Sequence, residues 1–329
     1  MTGKRKVCYS LKKRTKKLLS VWCRASSSTW TPRGTSAGAK VFCFFFSKKK
    51  AFLFSIALTT GTTHAAPFKV TTWNLNWFTT RATALPPDAP RRQAADIAAL
   101  RAYADRLSAD IIAFEEVDGI TSAAALFPLS RYTLITIHQD VVQQVGLAIR
   151  RPIRVTQNPD LAALDVEPNA AQRRLRHGLD ATVTFPGGAT LRVLAVHLKA
   201  GCQTAPLPPD SPPCALLAAQ IPLVAAWIAA RAAERVPFAL AGDFNRDMDQ
   251  PEPMSEAFQA AAPLTRVTAG TSNPCWSGGA FIDHIFLGGT ARIWLEPDSL
   301  RVMIFRTNDD AGRDRLSDHC PVSIRLDVK

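Results

Sequence analysis

The chain has 329 residues, is 47% hydrophobic and 20% charged, and so has the length and composition of a globular protein with a substantial core. Its formal net charge of +13 suggests a polyanion binder until it is located: residues 1–65 hold 14 Lys or Arg and no acid, leaving 26 basic and 27 acidic residues beyond. The body is therefore at −1, which excludes a broadly basic, nucleic-acid-coating domain; its four cysteines lack CxxC spacing, which excludes a zinc module.

Within the leader, Lys48, Lys49 and Lys50 precede the apolar run AFLFSIAL and then TTGTTHA, the charged region, short apolar region and small-residue cleavage site of a secretory signal. Thr63 and Ala65 suit the −3 and −1 positions, so cleavage after Ala65 and export to the periplasm or beyond are expected, with 66–329 as the mature domain. The run is too short for a transmembrane anchor. Residues 1–40 have no evident export role, and three readings stand: a true start downstream of Met1, for instance at Val41; a basic tail for nucleic acid or membrane; or a long charged region of the signal. Export agrees with the cysteines. Five prolines between Cys202 and Cys214 exclude regular structure there, and a disulfide would tie that segment; Cys275 and Cys320 either pair or stay free.

The body opens with FKVTTWNLNW, a strand with Asn74 and Asn76 two apart at its end and hence on one face, where amides can hold a phosphate oxygen or a metal-bound water. An Arg-rich loop follows (Arg81, Arg91, Arg92). Ile97, Leu100, Ala104, Leu107 and Ile111 then recur at helical spacing, predicting an amphipathic helix with Tyr103 as packing. DIIAFEEVDG is a buried strand ending in Glu115 and Glu116; strand neighbours point to opposite faces, so only one is expected to share the space of Asn74, as a ligand for a hard cation. RYTLITIH and VVQQVGLAIRRPIRV read as strands. A long loop then carries Arg173, Arg174, Arg176 and His177, either a phosphate-contacting segment or simply solvated.

DATVTF and TLRVLAVHLKAGC are further strands, the second ending in His197 and Lys199, again two apart. CALLAAQIPLVAAWIAARAAER is a long helix whose Gln220, Pro222 and Arg231 argue for packing rather than a membrane span. FALAGDFNRDMD ends a strand in Asp243 with Asn245 two residues on, a carboxylate and an amide suited to orienting a water. A mixed loop leads to SGGAFIDHIFL, a strand with Asp283 and His284. In RLSDHCPVSIRLDV, Asp318 and His319 fall in a turn over Ser317 to Pro321 before the last strand.

With Asn74, EEV ending the Glu116 strand, His197, GDFN at Asp243 and Asn245, IDH at Asp283 and SDHCP at Asp318 and His319, all in this order, residues 68–328 resemble the endonuclease/exonuclease/phosphatase superfamily. The resemblance implies a four-layer α/β sandwich, two mixed β-sheets flanked by helices in the deoxyribonuclease I-like manner. It further implies metal-dependent hydrolysis of a phosphodiester by an activated water. Glu116 is then expected to bind Mg²⁺ (or Mn²⁺ or Ca²⁺) with Asp318 and Asn74. Asp243 orients water with Asn245; His319, paired with Asp283, donates to the phosphoryl oxygen or leaving group; and Asn76, Arg176 and Lys199 hold substrate. His197 falls where the deoxyribonuclease I and sphingomyelinase branches have a second catalytic histidine. Two departures stand out: Glu115 replaces the usual Gln before the metal ligand, and only Gln143 and Gln144 are placed to support His197. A monomeric exported enzyme acting on nucleic acid is expected, with a phospholipid or small phosphate ester as the alternative substrate and a non-catalytic binding protein as the contrasting class.

Overall fold

The computed structural model describes residues 9–10, 21–22 and 66–329, except 82–84, 168–173, 206, 208–210, 250, 276–277 and 308–309. The signal segment and Arg173 lie outside these. A first unit, residues 1–62, contributes β1 (Tyr9–Ser10) and β2 (Val21–Trp22), paired antiparallel.

The second unit holds two six-stranded sheets. One is ordered β13 (Arg301–Val302), β14 (Val322–Leu326), β3 (Phe68–Phe78), β4 (Ile111–Val117), β6 (Gln144–Arg150), β5 (Tyr132–Thr136). The other is ordered β11 (Leu264–Arg266), β12 (Asp283–Gly288), β10 (Phe238–Asp243), β9 (Thr190–His197), β8 (Leu179–Thr184), β7 (Arg154–Gln157). Each is mixed: β3 runs parallel to β4 and β9 parallel to β10, the other pairings being antiparallel.

Strand alternation explains the layers. Val70, Ile111, Ala113, Leu147, Val193, Ala195, Ala239, Ala241, Ile285 and Leu287 turn inward and meet between the sheets. Their neighbours Trp73, Ile112 and Phe114 turn outward under α1 (Ala94–Leu107) and α2 (Gly119–Leu126), with Leu316 of α5 (Asp310–Leu316) in the same cluster. Leu194, Val196, Leu240 and Phe286 turn outward under α3 (Pro212–Ala233) and α4 (Pro253–Ala261). Helix, sheet, sheet, helix is the expected four-layer sandwich. By length and composition α3 could cross a membrane, but its Leu217, Ile221, Val224, Trp227 and Ile228 pack into this core.

Two local departures matter. The helix expected to include Ile111 stops at Leu107, because Ser108 turns left-handed (φ 47°) and its N–H caps Ala104 O; Ile111 then opens β4. Tyr103 packs edge-on against Phe305 as expected and accepts the Arg306 N–H. Disulfides close Cys202–Cys214, as expected, and Cys275–Cys320, which the sequence left open.

Candidate active site

The inward alternation that builds the core also places polar groups at one end of it. Two residues beyond inward Thr72, Ala113, Ala195 and Ala241 stand Asn74, Glu115, His197 and Asp243, toward the carboxyl ends of β3 and β4 and as the last residues of β9 and β10. Antiparallel β12 begins there, so Asp283 pairs directly with Asp243. All five are buried. The close approach of β10 to β9 depends on Gly242, where a Cβ would lie 1.9 Å from Val196 O.

The amides and carboxylates join across the two sheets. Asn74 Nδ2 donates to Glu116 Oε1 (3.1 Å) in its own sheet and to Asp243 Oδ2 (3.0 Å) in the other. Glu116 has a left-handed backbone (φ 59°) where β4 slips register, and this brings its carboxylate round to Asn74 and to the Trp77 N–H (3.1 Å). The expectation that only one of Glu115 and Glu116 could share the space of Asn74 is therefore corrected, because it assumed a regular strand. Glu115 lies on that inward face, accepting from Thr72 Oγ1 (3.0 Å). Burial, with Asp283 and Asp243 adding, raises its carboxyl well above the usual range and favours the neutral form, which would stand in for a glutamine.

Asn76, Trp77 and Asn245 are also left-handed (φ 46°, 56° and 53°). Alternation along an extended strand is thus not what brings Asn245 to Asp243. The Asn245 N–H donates to Asp243 Oδ1 (2.7 Å) in a tight turn, and its Nδ2 donates to Leu198 O (3.1 Å), which leaves its carbonyl oxygen as an acceptor.

His319 Nδ1 pairs with Asp283 Oδ2 at 2.8 Å, and its Nε2 lies 3.8 Å from Asp243 Oδ2 and 3.9 Å from Asp318 Oδ1. Burial would lower this imidazole, but Asp283 and Asp243 outweigh it and hold the ring protonated well above the ordinary value. Asp243 is pushed up to about 7, by burial first and by Asp283, against His319 and the bonds from Asn245 and Asn74. His197 is the converse: burial and then Arg176 push it well down, so it is neutral, with Nε2 3.5 Å from Glu116 and 3.7 Å from Asp243. Its Nδ1 has no hydrogen-bond partner, and Gln144 instead pairs in the sheet with Val117.

Asp243, Asp283 and His319 could geometrically hold a cation. Their chemistry fits poorly, since His319 carries a proton and is committed to Asp283. Glu116 and Asp318 fit a hard cation better. Glu116 has one donor on each oxygen and lone pairs to spare, Asp318 is exposed, and both act on the guanidinium of Arg92.

Most arginines of the two Arg-rich loops are engaged within the protein. Arg92 Nη2 donates to Leu75 O (2.9 Å) and Leu316 O (2.8 Å), clamping the β3 end to the turn that carries Asp318 and His319. Arg81 is paired with Asp118, and Arg174 with Asp165 at 2.9 Å. Arg176 does lie at the site, buried, donating from Nη2 to Leu198 O (3.0 Å) with Nε unpartnered, and electrostatically attracted by Glu116 and Asp243. Lys199 Nζ reaches Ala200 O (2.6 Å). His284, in the same IDH string, faces outward onto Thr268 Oγ1 (2.6 Å) and Arg246 O (3.1 Å), a packing role. Sequence reading missed the Arg92 clamp and Ser317, whose Oγ donates to Asn74 O (2.8 Å) and accepts from the His319 N–H (3.0 Å); a Ser starting a polar turn was the one available signal.

Two packed mixed sheets with carboxylates, amides and a protonated imidazole gathered at one end define an α/β-sandwich hydrolase of phosphate esters. The family described as Endonuclease/Exonuclease/phosphatase family matches residues 71–319, and the chain belongs to it. It is accordingly a metal-dependent phosphoric ester hydrolase. Solved structures with the same fold include TDP2 of D. rerio complexed with single strand DNA product (17% identity, TM-score 0.53, covering 79% of this chain and 99% of that one). Others are the human Nocturnin catalytic domain with bound sulfate anion (14%, 0.55, 80% and 94%) and an endonuclease/exonuclease/phosphatase from Beutenbergia cavernae (19%, 0.51, 80% and 72%). No curated protein matches the chain.

Proposed function

We propose that the protein is an exported, Mg²⁺-dependent phosphodiesterase cutting nucleic acid. The observation that carries the reading is the approach of His319 Nε2 to within 3.8 Å of Asp243 Oδ2, with Asp243 pushed up to about 7 and the imidazole, held on Asp283, favouring its protonated form. Asp243 takes the proton of a water that the carbonyl oxygen of Asn245 and the amide of Asn74 help to orient. His319, steadied by Asp283, donates from Nε2 to the phosphoryl oxygen or leaving group. Arg176, Asn76 and Lys199 hold the phosphate, and neutral His197 offers Nε2–H without adding charge. Glu116 and Asp318, with Asn74 bracing Glu116, would hold Mg²⁺, which when bound supplies positive charge to the phosphoryl oxygens.

Two disulfides support an oxidising location after cleavage near Ala65. Nucleic acid is favoured over lipid because the exposed large apolar residues among those described, Ile120, Leu129, Ile293 and Ile304, are all aliphatic and include none of the aromatic side chains of an interfacial anchor. The test is hydrolysis of plasmid DNA, RNA, sphingomyelin and bis-p-nitrophenyl phosphate, with Mg²⁺ or chelator, alongside His319→Ala. Chelator-sensitive nicking absent in the variant supports the proposal; lipid turnover without nicking moves the substrate to phospholipid.

A further inference from the structure

The His319–Asp283 hydrogen bond joins residues 36 apart, from segments belonging to different sheets. Cys320 directly follows His319, and Cys275 lies in the segment leading into Asp283. Their disulfide encloses the dyad in a short ring, residues 275–283 and 319–320, closed by the two sulfurs at one end and the hydrogen bond at the other. The segment before Asp283 needs such a tie. Residues 271–274 and 278–282 have no strand partner; Asn273 N–H to Gly279 O and Gly278 N–H to Cys275 O are bonds internal to the segment, and Phe244 N–H to Ile282 O is its anchor at the far end. Both cysteines are buried.

We infer that Cys275 and Cys320 are positioning residues of the reaction: their disulfide holds the His319 ring on Asp283 by replacing a long loop closure with a short one. The inference rests on the assignment of His319 proposed above. The second disulfide provides the comparison, because Cys202–Cys214 is tied instead to the segment after Asp243, where Cys202 O accepts from Arg246 next to Asn245.

The full-length protein is compared with Cys275→Ala/Cys320→Ala and with Cys202→Ala/Cys214→Ala. Amide hydrogen exchange is the first readout: losing the 275–320 bond should speed exchange of the His319 and Asn273 amides at least about tenfold while the central strands keep their protection. Hydrolysis of bis-p-nitrophenyl phosphate with Mg²⁺ is the second. There kcat should fall about tenfold or more with KM within about twofold, and in a His319→Ala background removing the bond should cost nothing further. Unchanged exchange, unchanged kcat, or the same loss with His319 already absent would overturn the inference. A wild-type protein silent on this ester would sink the functional reading, and exchange alone would then decide the tie. If the double alanine variant does not fold, phosphine reduction of the folded Cys202→Ala/Cys214→Ala protein, which leaves two thiols and a phosphine oxide, opens the same bond for the same readouts.

Discussion

Replacing Asp243 by Asn should make the protein more stable and nearly inactive. The wild-type carboxyl is buried and pushed from 3.8 to about 7. Because the folded value is the higher one, the folded state holds this proton more tightly than the unfolded chain, and the stability it confers is lost as pH rises from about 4 to about 7 and stays lost above. About three units at 1.36 kcal/mol each puts the cost of the ionised form at roughly 4 kcal/mol at pH 8. Asn keeps the shape and an oxygen for Asn74 Nδ2, but it gives up the acceptor for the Asn245 N–H and sets its own amide N–H against that donor. Allowing about half for those losses, Asp243→Asn should gain about 2 kcal/mol at pH 8 and nothing at pH 5. Urea unfolding of both proteins at the two pH values, in chelator and with disulfides intact, measures this, and kcat should fall by about 10³. A variant no more stable than wild type at pH 8, or a difference independent of pH, would refute the reasoning.

Glu115→Gln should leave stability at pH 7 within about 0.5 kcal/mol and kcat within about twofold, because burial favours the neutral carboxyl that Gln mimics; a loss above about 1.5 kcal/mol in a urea titration would mean that Glu115 is ionised. Gly242→Ala should cost about 3 kcal/mol or more, or prevent folding, since its methyl would enter the Val196 carbonyl; wild-type melting behaviour would contradict the close approach of β9 and β10. The kcat–pH profile should rise with an apparent value near 7 as Asp243 ionises and fall at higher pH as His319 loses its proton. Asp283→Asn removes the carboxylate that raises His319, so the falling limb should move to lower pH; a limb that stays put would assign it to another group.

Period-two alternation and strand ends made much of this site readable beforehand. Asn74, His197, Asp243 and Asp283 are where an extended chain puts them, inward at the ends of apolar strands. Glu116 and Asn245 reach the site only through left-handed backbones, which Asn tolerates but does not require and which nothing about Glu advertises. Among helices, α1 and α3 were legible from length and apolar spacing. The shorter α2, α4 and α5 were not: α2 is a run of small residues, and α4 depends on Glu252 accepting the Met254 and Ser255 N–H groups at its start. The role of Arg92 was not legible, because its three carbonyl partners, on Leu75, Arg315 and Leu316, meet only once the chain has folded.

Asn74 bridges carboxylates from both sheets, and the His319–Asp283 pair spans them as well. Catalytic competence is therefore a gauge of how the two sheets sit on each other. A truncation deep between them, such as Val193→Ala or Leu287→Ala, each about four residues along its strand from the nearest site residue, would let the sheets settle by a fraction of an ångström. Turnover should register that slip well before the melting temperature betrays it, so loss of activity in this protein is weak grounds for placing a residue at the chemistry.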